Sequence, residues 1–253
     1  MGKVFAITNQ KGGVGKTTTA VNLGSCLAVL GKKVLILDND PQGNATSGLG
    51  IEKNSIKQCI YDVLISEVPI EEVILPTQVT NLFAVPAALR LAGAENELVG
   101  MMARDQRLRR SIEPIRYDYD YILIDCPPSL GNLTINALAA ADAVIIPIQC
   151  EYYALEGLSQ LMQTLQLVQK FFNATLEIEG VVLTMYDHRT NLSQLVAEEV
   201  RNYFKEKVYQ SIIPRNIRLS EAPSHGVPIN LYDEKSKGAE AYLALAKEVI
   251  AHE

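Results

Sequence analysis

Seven short apolar runs rich in valine and isoleucine punctuate this 253-residue chain, at 3–8, 33–38, 81–85, 121–125, 143–147, 180–185 and 208–214. They are apolar at successive positions and not at alternate ones, the pattern of strands covered on both faces. Between them, at 16–30, 55–65, 104–112, 132–141, 156–172, 192–205 and 238–251, apolar residues recur at helical spacing. Strands alternating with helices in this way predict an α/β fold: a doubly wound, mostly parallel sheet flanked by helices, with right-handed crossovers. No linker rich in Pro, Gly or Ser interrupts the pattern, so residues 1–253 are expected to form a single domain.

Composition narrows the chemistry more than the fold. Lys and Arg number 23 against 29 Asp and Glu, a net charge of −6, so any contact with nucleic acid must come from a local basic patch working against an acidic whole. Cys26, Cys59, Cys126 and Cys150 are scattered without a C-x-x-C pair, which suits reduced, buried thiols better than a disulfide framework or zinc site. The apolar run at 4–7 is far short of a secretory signal core, and no uncharged stretch approaches membrane-spanning length. A cytoplasmic protein is expected.

Open α/β sheets place ligands at the carboxyl ends of their strands. The first run leads into Asn9-Gln10-Lys11-Gly12-Gly13-Val14-Gly15-Lys16-Thr17-Thr18, the second into Asp38-Asn39-Asp40-Pro41-Gln42-Gly43, and the fourth into Asp125-Cys126-Pro127-Pro128-Ser129. A phosphate cradle needs glycines that let successive backbone N–H groups turn inward, a helix start whose dipole favours anions, a lysine for the outer phosphates and a hydroxyl for Mg2+. Residues 11–18 supply all four, although Gln10 stands where the strict G-x-x-x-x-G-K-[ST] pattern has its first glycine, and Lys11 adds a second lysine. A lysine at a helix start opposes the helix dipole unless an anion is present, which favours phosphate as the partner of Lys16. Asp125 closes the apolar run Ile122-Leu123-Ile124, where a lone carboxylate is costly unless it is paired or near a metal. Asp38 and Asp40 flank the expected position of a terminal phosphate; the alternative for each is an Asx-type turn ahead of Pro41.

The loop with its extra lysine resembles the deviant Walker A loop of the ParA/MinD group of P-loop ATPases, and the wider chain resembles the ParA/Soj chromosome-partitioning branch. Beyond the loop, the likeness is carried by 38–44, 121–129, Glu151-Tyr152-Tyr153-Ala154-Leu155-Glu156-Gly157, Ile213-Pro214-Arg215-Asn216 and Ser220-Glu221-Ala222-Pro223. The resemblance implies a P-loop NTPase fold and an ATPase that uses ATP and Mg2+. It implies a nucleotide site made of Lys11, Gly12, Gly13, Val14, Gly15, Lys16, Thr17 and Thr18, with Pro214, Arg215 and Asn216 at the base and Met185 nearby. Thr17, Asp38 and Asp125 would serve the metal and Asp40 would orient the attacking water. Lys16 and Lys11 would act on phosphates as catalytic residues, Lys11 reaching across an ATP-dependent homodimer to the other chain's nucleotide. Non-specific double-stranded DNA, a ParB-type centromere-binding protein and the replication initiator are the implied partners, with nucleoid association and no membrane.

Between 185 and 220, six basic residues (Arg189, Arg201, Lys205, Lys207, Arg215 and Arg218) stand against four acidic ones (Asp187, Glu198, Glu199 and Glu206), a balance of +2 that a dimer doubles. By the resemblance, Arg189 and Arg218 carry DNA binding. A second cluster, Arg104, Arg107, Arg109, Arg110 and Arg116, has no motif behind it and reads as a solvated helix face. A MinD-like membrane-positioning ATPase would share the loop but would carry a basic amphipathic C-terminal helix, whereas the tail 239–253 is acidic and patterned to pack. An ATP-dependent scaffold without turnover is the other alternative, since sequence shows the parts of a hydrolase and not its rate.

Overall fold

The computed structural model describes residues 2–151 and 156–252, so Tyr152, Tyr153, Ala154 and Leu155 of the sequence motif lie outside the described residues. The first half runs β1 (Lys3–Ile7), α1 (Lys16–Val29), β2 (Val34–Asp38), α2 (Asn44–Gly48), α3 (Ile60–Ser66), β3 (Leu75–Pro76) and β4 (Leu82–Val85). Then follow α4 (Leu91–Glu97), α5 (Arg107–Ile112), β5 (Tyr121–Asp125), α6 (Asn132–Ala140), β6 (Ala143–Gln149) and α7 (Glu156–Phe171). The chain continues through β7 (Glu177–Thr184), α8 (Asn191–Phe204), α9 (Ile217–Glu221), α10 (Ile229–Tyr232) and α11 (Lys237–Ala251).

The strands form one sheet in the order β3-β4-β2-β5-β1-β6-β7, parallel except for the short edge strand β3, which runs antiparallel to β4. Successive side chains alternate between two buried faces, as a sheet covered on both sides requires. Val4, Leu35, Leu37, Ile122 and Ile124 pack with α3 to α8 on one face. Phe5, Ile7, Ile36, Tyr121 and Leu123 pack with α1 and α11 on the other. In α11, Tyr242, Leu245, Ala246 and Val249 are buried, and the Tyr242 hydroxyl meets the Thr19 hydroxyl of α1 at 3.2 Å. The C-terminal helix is therefore part of the core, as its pattern predicts. Among the described residues no helix is long and apolar enough to cross a membrane.

Two expected elements differ. Residues 208–214 are not a strand: they pair with β7 and its end through isolated bridges, Val208 to Val181 and Pro214 to Tyr186, and not through a continuous ladder. The ladder is interrupted because the N–H groups of Gln210 and Ser211 donate to the Glu248 carboxylate of α11, at 2.8 and 2.7 Å, instead of to a strand. The helix expected at 55–65 starts only at Ile60, since the Asp62 carboxylate accepts from the Cys59 N–H at 2.7 Å and holds Cys59 extended as the cap. The small helices α2, α4, α9 and α10 are too short for hydrophobic periodicity to reveal.

In register, Ile7 pairs with Asp125 and Asp125 with Asp38. The carboxyl ends of β1, β5 and β2 thus lie side by side, and the three motif-bearing loops share one edge of the sheet.

Candidate nucleotide site

The loop after β1 turns through Gly13 at φ 76° and Gly15 at φ 90°, a left-handed backbone that glycine adopts without strain, and Gly15 caps α1. A Cβ added at Gly12 or Gly13 would meet nothing within 4 Å, so these two exposed glycines leave the loop's backbone open to approach. The loop is fastened from outside the motif: the Asn9 amide donates to the Pro147 carbonyl at 2.8 Å, and the Thr184 hydroxyl to the Val14 carbonyl at 2.8 Å. Neither Asn9 nor Thr184 is singled out by the sequence reading, because each acts through a residue far away along the chain.

Lys16 is 6% exposed and its Nζ donates to the Lys11 carbonyl at 3.0 Å. Burial pushes its ammonium below the ordinary lysine range, opposed by the charges of Asp125, Cys126 and Asp40. Asp125 is fully buried, and neither carboxylate oxygen completes a hydrogen bond of normal geometry. Burial, and then the Asp38 charge, push its carboxyl well above the usual range, while the Thr17 hydroxyl and Lys16 pull the other way. A buried carboxylate without a full set of partners beside a lysine and a threonine hydroxyl is what a nucleotide-bound cation would complete. Among the described residues no cluster of three His, Cys, Asp or Glu could hold a metal on its own. Mg2+ takes one or two protein ligands and fills its shell with water and phosphate, a number that the Asp125 carboxylate and the Thr17 hydroxyl beside it could supply. The residues fit ATP with magnesium.

Asp38 carries structural hydrogen bonds at the end of β2. One of its oxygens accepts from the Thr46 N–H at 2.7 Å and the Thr46 hydroxyl at 2.6 Å, and the other from the Asp40 N–H at 3.3 Å. The Thr46 contacts tie the start of α2 to the sheet, and the Asp40 N–H closes an Asx-type turn on Asp38. Asp40 is 7% exposed; its carboxylate accepts from the Gln42 N–H at 2.9 Å and its carbonyl from the Gly43 N–H at 2.8 Å, fixing the turn next to the loop.

At the other end of the loop lies a cavity of about 440 Å3, lined among others by Gly15, Thr18, Met185, Pro214, Arg215 and Asn216. The base-end residues expected from sequence are thus brought to the phosphate loop. Met185 adopts φ 51°, and the Asn216 side chain accepts from the Arg218 N–H at 2.8 Å, starting α9.

The basic residues are less free than their sequence suggests. Arg189 is bound by Asp187 through Nε at 2.9 Å and Nη2 at 2.7 Å, and this holds the Asp187 carboxyl well below its usual range. Arg218 meets Glu221 at 2.9 Å and Asp233 at 3.5 Å, and Arg215 meets Glu151 at 3.0 Å. In the second cluster, Arg107 donates to the Leu64 carbonyl and pairs with Glu67, while Arg116 donates to Gly2 and Asp142. Those two arginines hold the fold together, which departs from a purely solvated face.

A parallel sheet whose first strand runs through a glycine-rich loop into a helix, with a buried lysine facing an aspartate at a neighbouring strand end, defines the P-loop nucleotide hydrolases. A family model described as an AAA domain matches residues 2–178. The chain is 64% identical over 252 residues to the sporulation initiation inhibitor protein Soj of Bacillus subtilis, covering 100% of both, and 56% identical over 250 residues to the chromosome partitioning protein ParA of Myxococcus xanthus, covering 99% and 88%. Among solved structures it resembles cobyrinic acid a,c-diamide synthase from Mycobacterium smegmatis with bound ADP and magnesium (TM-score 0.88, 37% identity, covering 100% and 95%). It also resembles the cell division ATPase MinD of Pyrococcus furiosus (TM-score 0.81, 29% identity, covering 99% of each). The chain belongs to the ParA/Soj family of P-loop ATPases.

Proposed function

We propose that this chain, a magnesium-dependent ATPase of chromosome partitioning, works as a nucleotide-gated switch on DNA. The observation that carries the reading is the buried pair of Lys16 and the under-bonded Asp125 at one end of a loop whose other end opens on a cavity of about 440 Å3. Backbone N–H groups from Gly12 to Thr18 cradle the phosphates and Lys16 leaves the Lys11 carbonyl to neutralise them. Thr17 and Asp125 would hold the magnesium, which supplies charge neutralisation at the outer phosphates. Asp40, fixed by its own turn, orients the attacking water. Lys11, half-buried on the loop, extends to the nucleotide of a second chain, so that hydrolysis requires the ATP-bound homodimer.

The dimer binds duplex DNA through phosphate contacts from Arg189 and Arg218, which exchange Asp187, Glu221 and Asp233 for phosphate. A ParB-type centromere-binding partner stimulates hydrolysis and resets the switch in the cytoplasm, and the replication initiator is a second regulatory contact. The burial of α11 supports DNA over a membrane as the surface bound. The test is anisotropy of a labelled non-specific duplex titrated with the protein in Mg-ATP and in Mg-ADP over a salt series. Binding confined to ATP and weakening steeply with salt is expected; equal or absent binding in both nucleotides, in protein that is folded and dimeric, overturns it.

A further inference from the structure

The loop after β5, residues 126–131, is held at both ends and at one point between them. Its start is fixed because Asp125 is paired into the sheet between β1 and β2. Its end is fixed by a side chain from another element: the Glu95 carboxylate of α4 accepts from the Asn132 N–H at 2.6 Å and the Leu133 N–H at 3.3 Å, the first two of α6. The Asn132 amide donates in return to the Glu95 carbonyl at 2.8 Å. Between these anchors, Pro128, Ser129 and Leu130 are exposed, and the loop's middle is secured by the Thr134 hydroxyl donating to the Ser129 carbonyl at 2.6 Å.

Glu95 is thus an N-terminal cap of α6 supplied from outside the helix, with its charge at the favourable end of the dipole. Gly131 is shaped to it: a Cβ there would lie 2.3 and 2.4 Å from the two Glu95 carboxylate oxygens. The first residue of the loop, Cys126, is buried and its N–H donates at 3.2 Å to the carbonyl of Ile7, the last residue of the strand that leads into the phosphate loop, so displacement of the loop is felt where the phosphates sit. α4 lines neither the phosphate loop nor the cavity at its base end.

We propose that Glu95 is a positioning residue for ATP hydrolysis: by capping α6 through Gly131 it holds the loop after Asp125 in register with Lys16, and so governs turnover without governing nucleotide affinity. The inference rests on Lys16 and Asp125 forming the phosphate end of the site. Mg-ADP binding and ATP turnover by the unaltered protein test that premise separately, and their absence overturns the site reading, not this one.

In Glu95→Gln one acceptor becomes a donor facing the helix N–H groups, so the cap is broken with little change of shape. Steady-state ATPase measurements should show kcat about tenfold lower with KM and the ADP dissociation constant within about twofold of wild type. Gly131→Ala should show the same loss, and Glu95→Ala/Gly131→Ala should be no lower than Gly131→Ala, because cap and collision are one contact. Glu97→Gln, whose carboxylate meets the Tyr61 hydroxyl instead, should leave kcat unchanged. Wild-type kcat in Glu95→Gln, or losses that simply add in the double variant, overturns the proposal. Should the variants fail to fold, hydrogen exchange of the unaltered protein reads the same contact. The amides of 129–133 should gain protection when a non-hydrolysable ATP analogue and Mg2+ bind. Identical exchange at saturating analogue and in its absence overturns it.

Discussion

Two carboxylates one strand apart are buried for different ends. Asp38 spends its lone pairs on Thr46 and Asp40, whereas both oxygens of Asp125 lack a hydrogen bond of normal geometry. Burial raises the Asp38 carboxyl from 3.8 to about 6, with the hydrogen bonds from Thr46 and Asp40 opposing and the Asp40 charge adding. The folded state therefore holds this proton more tightly than the unfolded chain. Its stabilising contribution is full below pH 3.8 and is lost as pH rises to about 6. Asparagine at this position cannot titrate. In nucleotide-free buffer, denaturant melts should show the stability of Asp38→Asn rising relative to wild type by about 2–3 kcal/mol between pH 4 and pH 6.5 and flat above. A pH-independent difference would show that folding leaves the proton affinity of Asp38 unchanged. From sequence the aspartates at the strand ends were legible as a set, since a carboxylate closing an apolar run needs a partner. Their division of labour was not, because it depends on Thr46, eight residues away and brought back by α2.

The clearest mismatch between pattern and fold falls at 208–214. The run is apolar enough for a strand, yet Glu248 of α11 takes its N–H groups at Gln210 and Ser211 and the Ser211 hydroxyl at 2.5 Å. Gly180 of β7 leaves no room for a Cβ, which would come within 2.3 Å of the Tyr209 ring, so the segment is pressed onto β7 at one point and pulled off it at the next. Hydrophobic periodicity reports that a segment is buried and not which group takes its backbone hydrogen bonds, so long strands and helices were readable while this segment and α2, α4, α9 and α10 were not. The consequence is functional, because the same segment continues into Ile213, Pro214 and Asn216 at the base-end cavity. Glu248→Ala removes a charged acceptor serving three donors. It should cost about 2 kcal/mol, lowering the melting temperature by about 4–8 °C. It should also weaken binding of a fluorescent ADP analogue several-fold while sparing bound-state turnover. Unchanged affinity in the destabilised variant would separate the segment from the base pocket.

At the scale of the molecule, the difficulty is that a chain of net charge −6 is asked to bind a polyanion. A dimer brings −12, and both arginines expected at the DNA are engaged by carboxylates on their own chain, Arg189 by Asp187 and Arg218 by Glu221 and Asp233. These pairs are exposed, where exchange of one anion for another is cheap because water and salt already screen the contact. A phosphate array would offer what a single carboxylate does not: each neutralised phosphate releases condensed counterions, and in the proposed dimer the two copies of Arg189 and Arg218 would add their contacts. Binding is then driven by salt release and not by the total charge, which makes it measurable. If Arg189 and Arg218 of both chains each cover one phosphate, Arg189→Ala/Arg218→Ala removes four contacts and should flatten the slope of log K against log salt by about 3.6. ATP-dependent dimerisation should survive, because neither side chain enters the phosphate loop. An unchanged slope with weakened binding would mean that these arginines shape the surface without touching phosphate. An unchanged slope and affinity would move the DNA to another face of the molecule.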